Sequence, residues 1–275
     1  MRTAPSDVLP RLNARANGVY ARSLYLPASV VGRALLGISR SLRGVQRQHT
    51  QRTRLPVVDW SDVFSARPIY LVETQKRAGN VAVGELAVLA TAAAAIAPKS
   101  EIVEIGTFDG RTTLNMAINA PANIEIITLD LPPDAPTQFE LATGERTFVD
   151  KPAPGERFRR ASPPWSAHAA KISQILGDSA TYDWSRHIGR AGLVFVDGSH
   201  AYDYALSDSA TALRLIANKG LVIWHDYGVW EGVTRALDEI ETKNCLGLRR
   251  IRGTSLVVYR DGANRCAADP DRRRL

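Results

Sequence analysis

From Val83 to Tyr259, short apolar runs alternate with stretches of helical periodicity, and this alternation confines the chain to few architectures. Val83 to Ala97 is almost entirely Ala, Leu, Val and Ile and stops at Pro98, the pattern of a buried helix. A strand over Glu101 to Ile105 follows, then a helix near Thr112 to Asn119 and the apolar run Ile124 to Leu129. After a long irregular stretch come Ile172 to Leu176, Gly192 to Val196, a helix near Ala201 to Asn218, Gly220 to Trp224 and a helix near Trp230 to Thr242. Strands this apolar are buried on both faces, so the pattern predicts an α/β domain with a mostly parallel, doubly wound sheet covered by helices. The last two segments, Leu248 to Ile251 and Ser255 to Tyr259, predict a hairpin-like pair with one antiparallel strand.

The length of 275 residues with 45% apolar residues is enough for one large domain, or one domain with an arm. The division expected is a basic N-terminal arm over 1–65, the sheet domain over 66–262 and a tail over 263–275. No run approaches the length of a spanning helix, and Met1 to Pro10 lacks the pattern of a secretory signal. The only cysteines, Cys245 and Cys266, lie too far apart for a redox or zinc motif, and a cytoplasmic location is expected.

The net charge of +7 is concentrated in the arm, where residues 1–55 hold ten arginines and one aspartate; the rest of the chain sums to −2. A nucleic-acid partner is therefore not expected. Within the arm, Val31, Leu35, Ile38, Leu42 and Val45 recur at helical spacing beside Arg33, Arg40, Arg43 and Arg47. Such a basic amphipathic helix needs a surface: its own body, a second subunit in a homodimer, or an anionic membrane bound peripherally.

Leu131 to Ser166 contains seven prolines and no periodic pattern. An insertion of this length leaving the carboxyl end of a strand lies where such sheets bind ligands, and it is expected to act as a substrate lid. The segment Glu104-Ile105-Gly106-Thr107-Phe108-Asp109-Gly110 joins a strand to a helix with glycines that permit close backbone approach to a ligand. It is not the GxGxxG fingerprint, and Glu104 just before the turn would repel a pyrophosphate, so a cationic ligand fits better than NAD. Asp130 closes the next strand, where a carboxylate can take both ribose hydroxyls, and Gly177-Asp178-Ser179 closes a third.

Taken in order, E-I-G-T-F-D-G, T-L-D-L, G-D-S and V-D-G-S-H resemble the class I S-adenosylmethionine-dependent methyltransferases over roughly Val83 to Arg260. The D-G-S-H-A-Y and W-H-D-Y segments look like the small-molecule branch that includes metal-dependent O-methyltransferases. The resemblance implies a seven-stranded Rossmann-like methyltransferase fold and S-adenosyl-L-methionine as cofactor. Glu104, Gly106 and Gly110, with Thr107 between them, would cradle its methionine part, Asp130 its ribose, and Asp178 and Ser179 its adenine.

Methylating an alcohol needs the oxygen held in line with the sulfonium carbon and relieved of its proton, so a base or a Lewis acid must stand beside it. Asp197 ends one strand with His200 a turn beyond, and His225 and Asp226 end the next. Asp197 and His200 are the expected catalytic pair; Asp197, His225 and Asp226 are the expected ligands of Mg²⁺ or another divalent cation. His225 stands where a second carboxylate is common, which favours a softer ion or a metal-free base. The activity expected is O-methylation of a small-molecule or saccharide hydroxyl. The alternatives are a metal-independent N- or O-methyltransferase and a non-catalytic cofactor-binding scaffold.

Overall fold

The computed structural model describes residues 51–150 and 154–262. The arm helix expected over Val31 to Val45 and the tail from 263 lie outside the described residues. Among the described residues, eight strands form one sheet: β1 (Val57–Val58), β2 (Glu101–Ile105), β3 (Glu125–Asp130), β4 (Ile172–Leu176), β5 (Ala191–Val196), β6 (Ile216–Trp224), β7 (Arg249–Ile251) and β8 (Val257–Arg260). Their spatial order is β1-β7-β8-β6-β5-β2-β3-β4, with β8 antiparallel to both of its neighbours and every other pairing parallel.

The eighth strand corrects the expected count of seven. β1 is a two-residue parallel pairing of Val57 and Val58 with Arg250 and Ile251, too short to leave a periodic trace in the sequence. It also moves the edge of the domain. Leu55 and Phe64 are buried in the core and β1 belongs to the sheet, so residues 55–65, expected in the arm, are part of the body.

Helices cover both faces. α1 (Trp60–Val63) is a single turn; α2 (Val83–Ala94) and α3 (Arg111–Asn119) pack on one face, and α7 (Tyr202–Leu215) and α8 (Glu231–Asn244) on the other. Alternation along each strand divides the apolar residues between the two layers. Ile102, Ile126, Leu193 and Ile223 meet α2 and α3, while Val103, Ile127, Val194 and Val222 meet α7 and α8. Among the described residues, no helix is long and apolar enough to cross a membrane.

The insertion over 131–166 carries two single-turn helices, α4 (Arg146–Val149) and α5 (Glu156–Arg159), and leads into a third, α6 (Ser166–Ala169). It is docked rather than free of the body. Gly155 N–H donates to Phe108 O (2.8 Å) and Arg157 N–H to Asp109 O (2.9 Å). The buried Arg157 side chain pairs with Asp109 at 2.8 Å and with Glu73 at 2.9 Å. Phe158 is buried with its ring against Gly110. On the other side of the turn, buried Arg111 donates to the carbonyls of Glu73 (2.6 Å) and Val81 (2.8 Å), so two arginines tie the preceding segment and the insertion to one glycine turn.

Candidate functional site

Strand register decides which side chains meet. Ile105 pairs with Leu129 on one side and Val196 on the other, and Val196 pairs with Trp224. The next residues of β2, β5 and β6 are Gly106, Asp197 and His225, which emerge in one row at the carboxyl edge. Asp197 N–H donates to Ile105 O (2.8 Å) and His225 N–H to Val196 O (3.0 Å), extending the ladder by one residue. The chain proceeds outward from β2 through β3 to β4 and then returns to β5, so this row lies at the switch point where doubly wound sheets bind ligands.

At the glycine turn, Glu104 is fully buried, with one oxygen accepting from the hydroxyls of Thr113 and Thr128 (2.6 Å for the latter). Its other oxygen has no hydrogen-bond partner among the described residues. Burial pushes its pKa up to about 8, against the two hydroxyl bonds and with help from the charges of Asp197 and Asp130. Thr107 is buried and bonded to Thr128 at 2.6 Å. Gly106 has φ +98°, Gly110 caps α3, and Asp130 is buried at the end of β3. An orphaned buried acceptor under a left-handed turn, with a second carboxylate at the neighbouring strand end, fits a cofactor whose methionine end is cationic.

Asp178 has a different neighbourhood from an open adenine site. Its carboxylate accepts from Gln138 N–H (2.6 Å), Tyr204 O–H (2.7 Å) and Ala180 N–H (2.9 Å), tying the insertion and α7 to the loop after β4. Ser179 is nearly buried and faces Asp208, whose carboxyl burial pushes up to about 7.

Four further expected residues converge. His225 Nδ1 lies 2.9 Å from Asp197 Oδ1 and 3.4 Å from Asp226 Oδ2, and His200 Nε2 lies 2.8 Å from Asp226 Oδ2. One ligand atom each from Asp197, His225 and Asp226 lie within 4.8 Å of one another, a donor set suited to a divalent ion. Asp226 has φ +63°, an unusual conformation for a non-glycine residue and one that clusters at functional sites. Gly232, near the start of α8, approaches the loop after β5 so closely that a Cβ there would stand 2.4 Å from His200 O. That approach stacks Trp230 on the His200 ring, with centroids 4.4 Å apart and planes 12° apart. Tyr227, next in the chain, is buried: its hydroxyl accepts from Arg54 and Leu55 N–H and donates to Asp238.

Two carboxylates that the sequence reading missed complete the cluster. Glu145, from the insertion, accepts from His200 N–H (2.6 Å), Ser199 O–H (2.8 Å) and Ala142 N–H (2.8 Å), and lies 2.8 Å from His200 Nδ1. Glu85, from α2, lies 3.2 Å from His225 Nε2. Burial alone would lower the pKa of His200, but its contacts with Asp226 and Glu145 outweigh it and push it up to about 9. Burial would lower His225 too, yet the charges of Asp197 and Asp226 raise it well above the usual value. Burial raises Asp197, partly offset by His225, whereas for Asp226 the two imidazoles overcome burial and lower it. Glu85 left a sequence signal as the one carboxylate in an apolar run. Glu145 left none.

Glu145 also pins the insertion to the loop after β5. Glu145→Ala is expected to accelerate tryptic cleavage at Arg146 and Arg157 at least several-fold. Global melting should change by no more than about 2 kcal/mol, because the opening is local. Unchanged cleavage kinetics would show that the insertion is held elsewhere.

Residues 103–227 match the family model described as a methyltransferase domain. Similar solved structures include the O-methyltransferase TomG from Streptomyces achromogenes in complex with SAM (15% identity, covering 70% of this chain and 93% of that one, TM-score 0.45). Others are the O-methyltransferase NovP (15% identity, 66% and 80% covered, TM-score 0.46) and an O-methyltransferase from Bacillus cereus in complex with SAH (13% identity, 67% and 84% covered, TM-score 0.44). No curated protein matches the chain.

Proposed function

We propose that the domain transfers a methyl group to a hydroxyl of a small molecule or saccharide, with a divalent ion held by Asp197, His225 and Asp226. The observation that carries this reading is the convergence of those three ligand atoms within 4.8 Å beside His200, one row from the glycine turn. S-adenosylmethionine, when bound, supplies an electrophilic methyl on a sulfonium centre. Glu104 would hold its methionine end and Asp130 its ribose, and Asp178, already committed to three donors, would fix the loop around its adenine rather than offer a free carboxylate.

Without the ion, a His200 held by two carboxylates carries its proton at neutral pH and orients the acceptor oxygen as a cation. Where no ion is bound, removal of the acceptor proton falls to Asp197, whose proton affinity burial raises; an ion held by Asp197, His225 and Asp226 would instead lower the proton affinity of the acceptor oxygen itself. Trp230 and the docked insertion screen this mouth from water. An acceptor of modest size fits a mouth so enclosed; the body, near neutral in charge, offers no platform for nucleic acid.

The test begins with calorimetric titration of the whole chain with S-adenosylhomocysteine, using NAD as control. Micromolar affinity is expected, falling at least about tenfold in the Glu104→Ala, Asp130→Ala double variant. An acceptor screen with and without chelator follows. Turnover insensitive both to chelator and to Asp226→Asn would remove the ion and leave the metal-independent reading. NAD binding without S-adenosylhomocysteine binding would remove the function altogether.

A further inference from the structure

The metal-ligand reading leaves one buried carboxylate unexplained. Glu85 lies on α2, ahead of the segment that matches the family model, and four donors meet its two oxygens. Ser255 presents its N–H (2.8 Å) and its O–H (2.8 Å) to Oε1, while Ala82 N–H (2.7 Å) and His225 Nε2 (3.2 Å) approach Oε2. Ser255 lies beyond the other end of the matched segment, just before β8. Its hydroxyl oxygen also accepts Asp226 N–H at 3.3 Å. The pair Glu85 and Ser255 therefore touches two of the three candidate ion ligands from outside the matched segment.

Ionised Glu85 can only accept, so the ring nitrogen facing it must be the donor: His225 carries its hydrogen on Nε2. Nδ1 faces Asp197 and Asp226, the side where the candidate ligand atoms cluster, and is the nitrogen that an ion would take in place of a proton. A carboxylate behind an imidazole in this way fixes tautomer and ring orientation and strengthens the nitrogen as a donor to a metal. We propose that Glu85 is the positioning residue that presents His225 Nδ1 to a divalent ion, and that the resulting set of one imidazole and two carboxylates takes Zn²⁺ or Co²⁺ in preference to Mg²⁺. Imidazole suits the borderline transition ions, whereas Mg²⁺ seeks oxygen alone. The inference rests on the ion-binding reading of the site and adds to it which residue sets the ion's identity.

The experiment reads binding, not turnover. The full chain, freed of metal by chelator dialysis, is titrated with Zn²⁺ and Mg²⁺ by calorimetry and with Co²⁺ by visible absorption. The wild-type chain is expected to bind Zn²⁺ and Co²⁺ at least about tenfold more tightly than Mg²⁺. Glu85→Gln should lose roughly 10- to 100-fold of the Zn²⁺ and Co²⁺ affinity, with a much smaller change for Mg²⁺. His225→Asn should abolish the preference between ions. Glu85→Asp keeps the charge and withdraws it from Nε2, so an intermediate loss is expected; it stands in for Glu85→Gln if that variant fails to bind S-adenosylhomocysteine as a folded chain does. Wild-type-like Zn²⁺ binding in the folded Glu85 variants would overturn the role of Glu85 while leaving the ion site intact. Tighter binding of Mg²⁺ by the wild type would overturn the selectivity. Failure of the wild type to bind any of the three ions would overturn the ion-binding reading and this inference with it.

Discussion

Gly106→Ala is expected to lower stability by about 3–5 kcal/mol and to abolish S-adenosylhomocysteine binding. Two costs combine. The residue has φ +98°, where a Cβ is strained by about 1–3 kcal/mol. That Cβ would also stand 2.0 Å from Asp197 O and 2.5 Å from its carbonyl carbon. The obstruction is backbone, so no rotamer change relieves it: the loops after β2 and β5 must part, and the row that brings Gly106, Asp197 and His225 together is lost. Urea denaturation with the cofactor titration checks this. A variant less than about 1 kcal/mol destabilised, with intact binding, would mean that the two strand ends do not meet as described.

Glu104→Gln is expected to do the opposite to stability, and only in part of the pH range. The carboxyl has its pKa raised by burial from 4.5 to about 8 in the folded protein, facing Asp197 and Asp130 across the strand ends and Thr113 and Thr128 beside it. In the window between these values the unfolded chain has released a proton that the folded chain retains. Stability from this residue is therefore fully present below about pH 4.5 and is lost progressively as pH rises to about 8, by at most about 5 kcal/mol. Glutamine keeps the acceptor for both threonine hydroxyls and removes the charge. The variant should match the wild type near pH 4.5 and melt higher above pH 8, with a flatter melting temperature against pH between. Above about pH 8, where the wild-type carboxyl is ionised, the same change removes an anion from beneath a cationic cofactor, so in that range affinity for S-adenosylmethionine should fall more than affinity for the uncharged sulfide of S-adenosylhomocysteine. Parallel melting curves across pH 5–9 would show that Glu104 does not titrate in this range.

These two residues were legible before any coordinates, because local chemistry marks them. A strand-to-helix turn with glycines and a preceding carboxylate announces itself in seven consecutive residues. Strand ends Asp130, Asp197 and Asp226 stand out because each closes an apolar run. The antiparallel end of the sheet was legible too, in β7 and β8 flanking Arg252 to Thr254, and the structure pairs both as expected. β1 was not, since two residues carry no period and its pairing with β7 joins residues nearly two hundred positions apart.

The site divides in the same way. Composition and period along the chain were enough for the doubly wound sheet, the glycine turn and the set of polar strand ends, because burial on two faces and a tight turn each demand particular residues locally. They could not say that Asp178 would be occupied by Gln138, Ala180 and Tyr204, that Tyr227 would be buried, or that His200 and His225 would each stand between carboxylates. Those outcomes depend on strand register and on where an aperiodic insertion and a helix N-terminus come to rest. Glu85 and His225 are 140 residues apart, and a 3.2 Å contact between them exists only after α2 and β6 have packed. An electrostatic environment is a property of distances in space, and spacing along the chain does not encode them.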